Sequence, residues 1–370
     1  AELAMGAYLG FVIINILIRP IGSLSDLFRI SYDRISVPFC AYLLMRLTAP
    51  RERELKLLLA VALFVAISQS VIGFLSWFVP QVLPPQWFTY YGTERTTGSL
   101  LDANVYTSVL VFCITLLFQA AMNRKPDLTR IVFLIACGLG TICVVFSFER
   151  GSWLGAVFAA VGLLVMFPKT MLRVLAVLTV GLVILGGGAL ARQSTWAFTR
   201  MQDQRTINDR IVVTDAMLQM IKIKPFWGWG YESVDRYSMQ FYKGVGDAPP
   251  LFKYITSHNT YLTIFVDFGF LGLGLYLFPM LWWGWLTIKV FQRMPKEGLW
   301  SRTLVVALWL AALHQVIVSN FMDMRFFPIT LTLWWMTLGL VANMVYPYLK
   351  PNDLLPSQWV CEAGSTTRIR

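Results

Sequence analysis

Ten apolar stretches, most of them about as long as a bilayer is thick, decide what this chain can fold into. They run 3–18, 34–49, 57–79, 101–121, 131–148, 152–167, 174–191, 259–287, 303–322 and 327–346. A membrane-crossing helix needs about 20 predominantly apolar residues, with a range of roughly 17–25. The first, second and sixth stretches are short and leave little room for tilt. The eighth is long, and Pro279 predicts that it projects or bends there. The expected fold is an all-α polytopic membrane protein of about ten transmembrane helices.

Composition supports the same class. The chain is 57% hydrophobic and only 14% charged, against about 25% charged in a soluble domain. A soluble fold of 370 residues could not hide that much apolar surface. The net charge of +11 does not indicate nucleic acid, because the basic residues sit in short clusters between apolar stretches and form no basic domain. Cys40, Cys113, Cys137 and Cys143 lie in apolar stretches, and Cys361 lies in the polar tail. That distribution predicts neither a disulfide framework nor a cysteine metal site. The chain opens at Ala1 with its first apolar stretch already under way. We read the N-terminus as incomplete, with room for further spans, and see no cleavable signal pattern.

Basic residues orient the spans. One alternating set of loops, with the tail, holds sixteen Lys and Arg, among them Arg46, Arg53, Arg124, Arg130, Lys169, Lys296 and Arg302. The short segments of the opposite set hold six: Arg19, Arg29, Arg34, Arg95, Arg150 and Arg325. The richer set marks the cytoplasm. The 80–100 loop, the 148–152 turn and the long 192–258 segment then face outward. The predicted organisation is 1–191 as N-terminal transmembrane helices and 192–258 as a periplasmic loop carrying an arginine-bearing interfacial helix. Residues 259–346 follow as C-terminal transmembrane helices, and 347–370 as a cytoplasmic tail. Within the loop, 208–223 reads as an amphipathic helix capped by Asn208 and ended by Pro225, before a Gly228-Trp229-Gly230 turn.

The chain has two histidines. His314 sits mid-span, where a packed polar residue bonding a neighbouring helix is the expected role. His258 sits where the outer loop meets the next span. A helix N-terminus disfavours imidazolium, which predicts a neutral ring able to accept a proton; an interfacial helix cap is the simpler reading. Arg150 lies in a tight turn beside the hydrocarbon, where a charge is expensive and marks a functional site unless Glu149 merely neutralises it. Arg210 and Arg95 are further candidates, weighed against a solvated surface charge and a headgroup anchor. A guanidinium fork binds phosphate bidentately. Outward arginines beside a helix-start histidine therefore point to an anionic lipid-linked substrate, with a diphosphate as the natural candidate. No metal-ligand spacing, Walker loop or nucleotide fingerprint is present, so no metal and no cofactor is expected.

Four segments resemble the O-antigen ligase and polymerase superfamily of bacterial membrane glycosyltransferases. They are Arg95-Thr-Thr-Gly-Ser-Leu-Leu-Asp-Ala-Asn104, the Ser147–Gly155 turn, and the Arg210 helix with Lys224-Pro-Phe-Trp-Gly-Trp-Gly230. The fourth is Ser257-His-Asn-Thr-Tyr-Leu262 followed by Asp267-Phe-Gly-Phe-Leu-Gly272. The resemblance covers about residues 60–345. It implies a GT-C-like fold of about twelve spans against the ten stretches here. It also implies metal-free transfer of a glycan from undecaprenyl diphosphate on the periplasmic face of the bacterial inner membrane. His258 would deprotonate the acceptor, and Arg150, Arg210 and, less directly, Arg95 would hold the diphosphate. One compact outer loop carrying both the arginine helix and the histidine favours a ligase, whose acceptor is the lipid A-core oligosaccharide. A polymerase, a protein O-oligosaccharyltransferase and a lipid-linked sugar transporter are the alternatives, in that order. Asp267 stands where relatives have Glu, and no role is assigned to it.

Overall fold

The computed structural model describes residues 1–18, 24–48, 52–87, 95–176, 179–180, 204–242 and 257–350. Among them every regular element is helical. The helices are α1 (Glu2–Ile18), α2 (Leu24–Ser31), α3 (Val37–Leu47), α4 (Glu52–Phe78), α5 (Ala103–Met122) and α6 (Leu128–Phe146). Then come α7 (Arg150–Met166), α8 (Gln204–Ile223), α9 (Ser233–Tyr237), α10 (Thr260–Val290), α11 (Arg302–Val318) and α12 (Pro328–Val345). A described helix falls on nine of the ten expected stretches; most of 174–191 lies outside the described residues. Five of these helices, starting at Glu52, Ala103, Leu128, Thr260 and Pro328, are long and apolar enough to cross a bilayer, and α1, α7 and α11 are shorter apolar helices of 17 residues.

The five long helices, with α1, α7 and α11, are largely apolar all round, as membrane helices are. Beyond Leu55 and Leu59, the buried face of α4 is small: Ala62, Ala66, Ser70, Gly73 and Ser76. Its outer face carries the bulk, with Leu57, Val61, Phe64 and Val71 exposed. A lipid solvent gives large side chains no reason to turn inward, while small ones let backbones approach. Helix α5 is the central element, with Leu110, Leu116 and Leu117 fully buried, and it packs against α4, α6, α7 and α11. The two chain ends interlock: α1 packs on α10, and α3 packs on α12.

Polar contacts sort to the two ends of the bundle. At one end Arg46 pairs with Glu2 (3.2 Å), Asn343 donates to the Met45 carbonyl (2.8 Å), and Gln119 donates to Thr303 (3.1 Å). At the other, Arg34 pairs with Glu232 (3.1 Å) and Arg95 with Glu149 (2.8 Å).

Two expectations need correction. The loop helix begins at Gln204, so Asn208 lies inside α8 rather than capping it. The interruption of α10 is at Gly269 and not at Pro279, which the helix accommodates. Gly269 adopts φ 65°, ψ −165°, a conformation essentially confined to glycine.

That interruption docks the loop. The Phe226 carbonyl oxygen lies 2.2 Å from where a Gly269 Cβ would be, and the Asp267 carbonyl oxygen lies 2.3 Å from where a Gly228 Cβ would be. Two backbones thus meet face to face, glycine against carbonyl on both sides. Hydrogen bonds close the contact: Trp229 N–H to the Val266 carbonyl (2.9 Å), Gly230 N–H to that of Asp267 (2.9 Å), and Phe270 N–H to that of Pro225 (2.7 Å). Gly228 is itself at φ 67°. Gly228→Ala therefore adds a clash with backbone to a left-handed strain, and the cost should exceed about 3 kcal/mol. Thermal unfolding in detergent should show a large drop in midpoint; an unchanged midpoint would mean that the two segments are not in this register.

Candidate functional site

The Glu149–Arg150 turn is held by aromatic packing. Phe148 takes a left-handed φ of 50°, which costs a non-glycine residue about 1–3 kcal/mol unless its surroundings over-determine it. Here they do. Its ring lies 6.0 Å from Trp77 and 5.8 Å from Trp153, and Trp153 Nε1 donates to the Val144 carbonyl (3.0 Å). The turn delivers Glu149 and Arg150 to the mouth of the bundle, Arg150 exposed and Glu149 mostly covered.

The Arg95 segment is clipped to the same place. Thr96 N–H and Oγ1 donate to the Phe146 carbonyl (3.2 and 3.1 Å), and Trp77 Nε1 donates to Thr96 Oγ1 (2.8 Å). Arg95 is thereby buried, with Nη1 2.8 Å from Glu149 Oε2. Asp102, close enough to act on Glu149, caps α5 by accepting from Asn104 N–H (2.8 Å) and Val105 N–H (3.1 Å).

Arg210 joins from α8. Burial lowers its pKa, with Arg150 and Arg95 adding to that and Glu149 opposing it. Burial raises the Glu149 carboxyl above the ordinary glutamate range, against the pull of Arg95, Arg210 and Arg150. The three arginines singled out in the sequence thus converge on one carboxylate. The simpler reading of Arg150 was a local pair with Glu149, whereas the Glu149 carboxylate forms its ion pair with Arg95 (2.8 Å). Among the described residues, Arg210 Nε is buried with no hydrogen-bond partner. Among the described residues, three guanidinium groups face two carboxylates, Glu149 and Asp102, which leaves that group net positive and suited to an anion.

His258 stands on the other side of one short turn. It is half-buried, directly before Asn259, whose side chain caps α10 by accepting from Leu262 N–H (2.9 Å). Thr260 N–H donates to the Ser319 carbonyl (2.8 Å), and Thr260 Oγ1 to that of Met322 (2.9 Å). The same turn carries Phe321, which packs directly on Gly151. The turn after α11 therefore touches both the histidine segment and the arginine turn. His314, deeper in α11, is buried against Gly155 of α7.

Sequence reasoning missed the Asp267–Arg325 pair. Asp267 is fully buried and accepts from Ser233 Oγ (2.7 Å), Ser233 N–H (3.0 Å), Glu232 N–H (3.2 Å) and Arg325 Nη1 (2.9 Å). A carboxylate within an apolar stretch, just before the Phe-Gly-Phe break, was the available signal. Nothing local in the sequence named Arg325 as its partner.

Residues 131–277 match the family model described as O-antigen ligase. This stretch is similar to an O-antigen ligase domain. No curated protein matches the chain. The O-antigen ligase match spans Arg150, Arg210, His258 and Asp267, and stops before Arg325. It supports glycosyltransferase-like activity of the O-antigen ligase kind in a multi-pass membrane protein.

Proposed function

We propose that this protein is an O-antigen ligase with a GT-C-like fold, set in the bacterial inner membrane with its site facing the periplasm. It transfers a glycan from undecaprenyl diphosphate to a hydroxyl of the lipid A-core oligosaccharide. His258 takes the acceptor proton as the hydroxyl oxygen attacks the sugar carbon bonded to the diphosphate. That carbon–oxygen bond breaks, and Arg150 and Arg210, with Arg95 behind them, hold the departing undecaprenyl diphosphate. No metal is assigned a part. The observation that carries this reading is the convergence of three arginines on Glu149, inside and beside a domain matched to O-antigen ligases.

Purified protein given lipid-linked glycan and, in parallel, lipid A-core tests it. Glycan on lipid A-core with release of undecaprenyl diphosphate is expected. Chain extension of the donor without acceptor would make the protein a polymerase, and no released diphosphate lipid would remove transfer altogether.

Glu149 occupies the arginines that the diphosphate needs. Its raised pKa means that it takes up a proton at a higher pH than an ordinary glutamate. As pH falls the carboxylate is neutralised, its competition ends, and the donor should bind more tightly. Glu149→Gln should fix the tight state at every pH and lower donor KM. Donor KM measured from neutral to mildly acid pH checks this; parallel profiles for wild type and variant would remove Glu149 as a competitor.

A further inference from the structure

We infer that Arg325 is a positioning residue, which works through Asp267 and Asp323 to hold the Arg210 helix in register with His258. The inference rests on the site residues proposed above, but its geometry does not depend on them.

Arg325 is 5% exposed, Asp323 1% and Asp267 0%. The guanidinium is committed to carboxylates on several sides. Nε donates to Asp323 Oδ1 (3.0 Å), Nη2 to Asp323 Oδ2 (2.8 Å) and Nη1 to Asp267 Oδ2 (2.9 Å). A residue so engaged is built to hold protein together rather than to grip a substrate.

The three pieces it joins are the three that matter for the site. The first is α10, which begins two residues after His258. The second is the 319–326 turn. Thr260 and Asp267 lie seven residues apart, two turns along one face of α10, and both bond this turn: Thr260 Oγ1 donates to the Met322 carbonyl and accepts from Met324 N–H (3.0 Å), and Asp267 takes Arg325. The third piece is the 224–234 segment that leaves α8. Asp267 draws in Glu232 and Ser233, while Val213, Met217 and Met220 of α8 pack with Val234 and with Val266 of α10. Glu232 is held at a left-handed φ of 54° and pairs onward with Arg34, which lies over the Phe326 ring at 4.8 Å. The path from Arg210 to His258 therefore runs through one buried charge cluster, whose forked cation no other side chain reproduces.

The test uses the full chain in nanodiscs, with spin labels on Leu218→Cys of α8 and Ile329→Cys at the start of α12, both exposed positions, and with Cys40 and Cys361 replaced by serine. Arg325→Lys keeps the charge and loses the fork. Ser233→Ala removes one hydroxyl bond to Asp267 and leaves the buried charges intact, so it stays folded if Arg325→Lys does not. Both variants should broaden the label distance distribution. Transfer per folded molecule should fall, approaching 100-fold for Arg325→Lys, as expected when reacting groups are displaced by about 1 Å. Ser233→Ala should lose several-fold, and the loss should fall on kcat rather than donor KM. A wild-type distance distribution in both variants, or a broadened one with full transfer, overturns the assignment. The distance measurement needs no turnover, so it stands or falls separately from the reading of His258 as a base.

Discussion

His258→Ala will abolish glycan transfer and leave the protein folded in the membrane. The expected loss is about 10²–10⁴-fold, the range supplied by a positioned general base. Folding should survive because the helix cap belongs to Asn259 and the tie to the 319–322 turn belongs to Thr260. His258 precedes both in the chain. Thermal stability of the purified variant and transfer from lipid-linked glycan, measured on one preparation, separate the two effects. Near-normal transfer would remove the base assignment and reduce His258 to an interfacial residue.

Arg210→Ala should cost about 10²–10³-fold in transfer, as loss of a group that stabilises developing negative charge does. Arg210→Lys is the more informative variant. Lysine keeps the charge and gives up the planar fork. If two diphosphate oxygens are held at once, lysine should recover little of the loss. Arg210 is suited to this because its Nε is buried without a partner and its charge is crowded by Arg150 and Arg95. Equal activity in the lysine variant would mean that only the charge counts. Unchanged activity in the alanine variant would make Arg210 a surface residue.

Much of this was legible in the chain because the relevant physics is local. Span positions follow from hydropathy over about 20 residues, and described helices fall where those stretches lie. His258 and the three arginines stand out because charged and titratable groups are rare among apolar spans. The start of α8 was misjudged because Asn208 is as good a cap as any residue near it, and the helix continues back to Gln204. The break in α10 was assigned to Pro279 because proline interrupts helices by its own chemistry. The actual break, at Gly269, exists because another backbone lies against it. A partner 43 residues away in sequence leaves no mark on periodicity. The same holds for Arg325 and Asp267, which are 58 residues apart. Pairing of distant charges is decided by the packing of helices, and no window on the sequence contains it.

The interlocking of α3 with α12 has a consequence for how the molecule is made. Tyr42 of α3 accepts from Trp283 Nε1 of α10 (2.9 Å), its carbonyl lies against Gly339 of α12, and Asn343 of α12 reaches back to the Met45 carbonyl. A ribosome adding about 5–20 residues per second delivers α12 roughly 15–60 s after α3. For that interval α3 lacks the neighbour that its buried face packs against. The Arg325 cluster, which lies just ahead of α12, likewise closes only once the 319–326 turn has been made. The proposed site therefore waits on this turn, and chains cut short before Asp323 should carry His258, Arg150 and Arg210 without the cluster proposed to set their geometry.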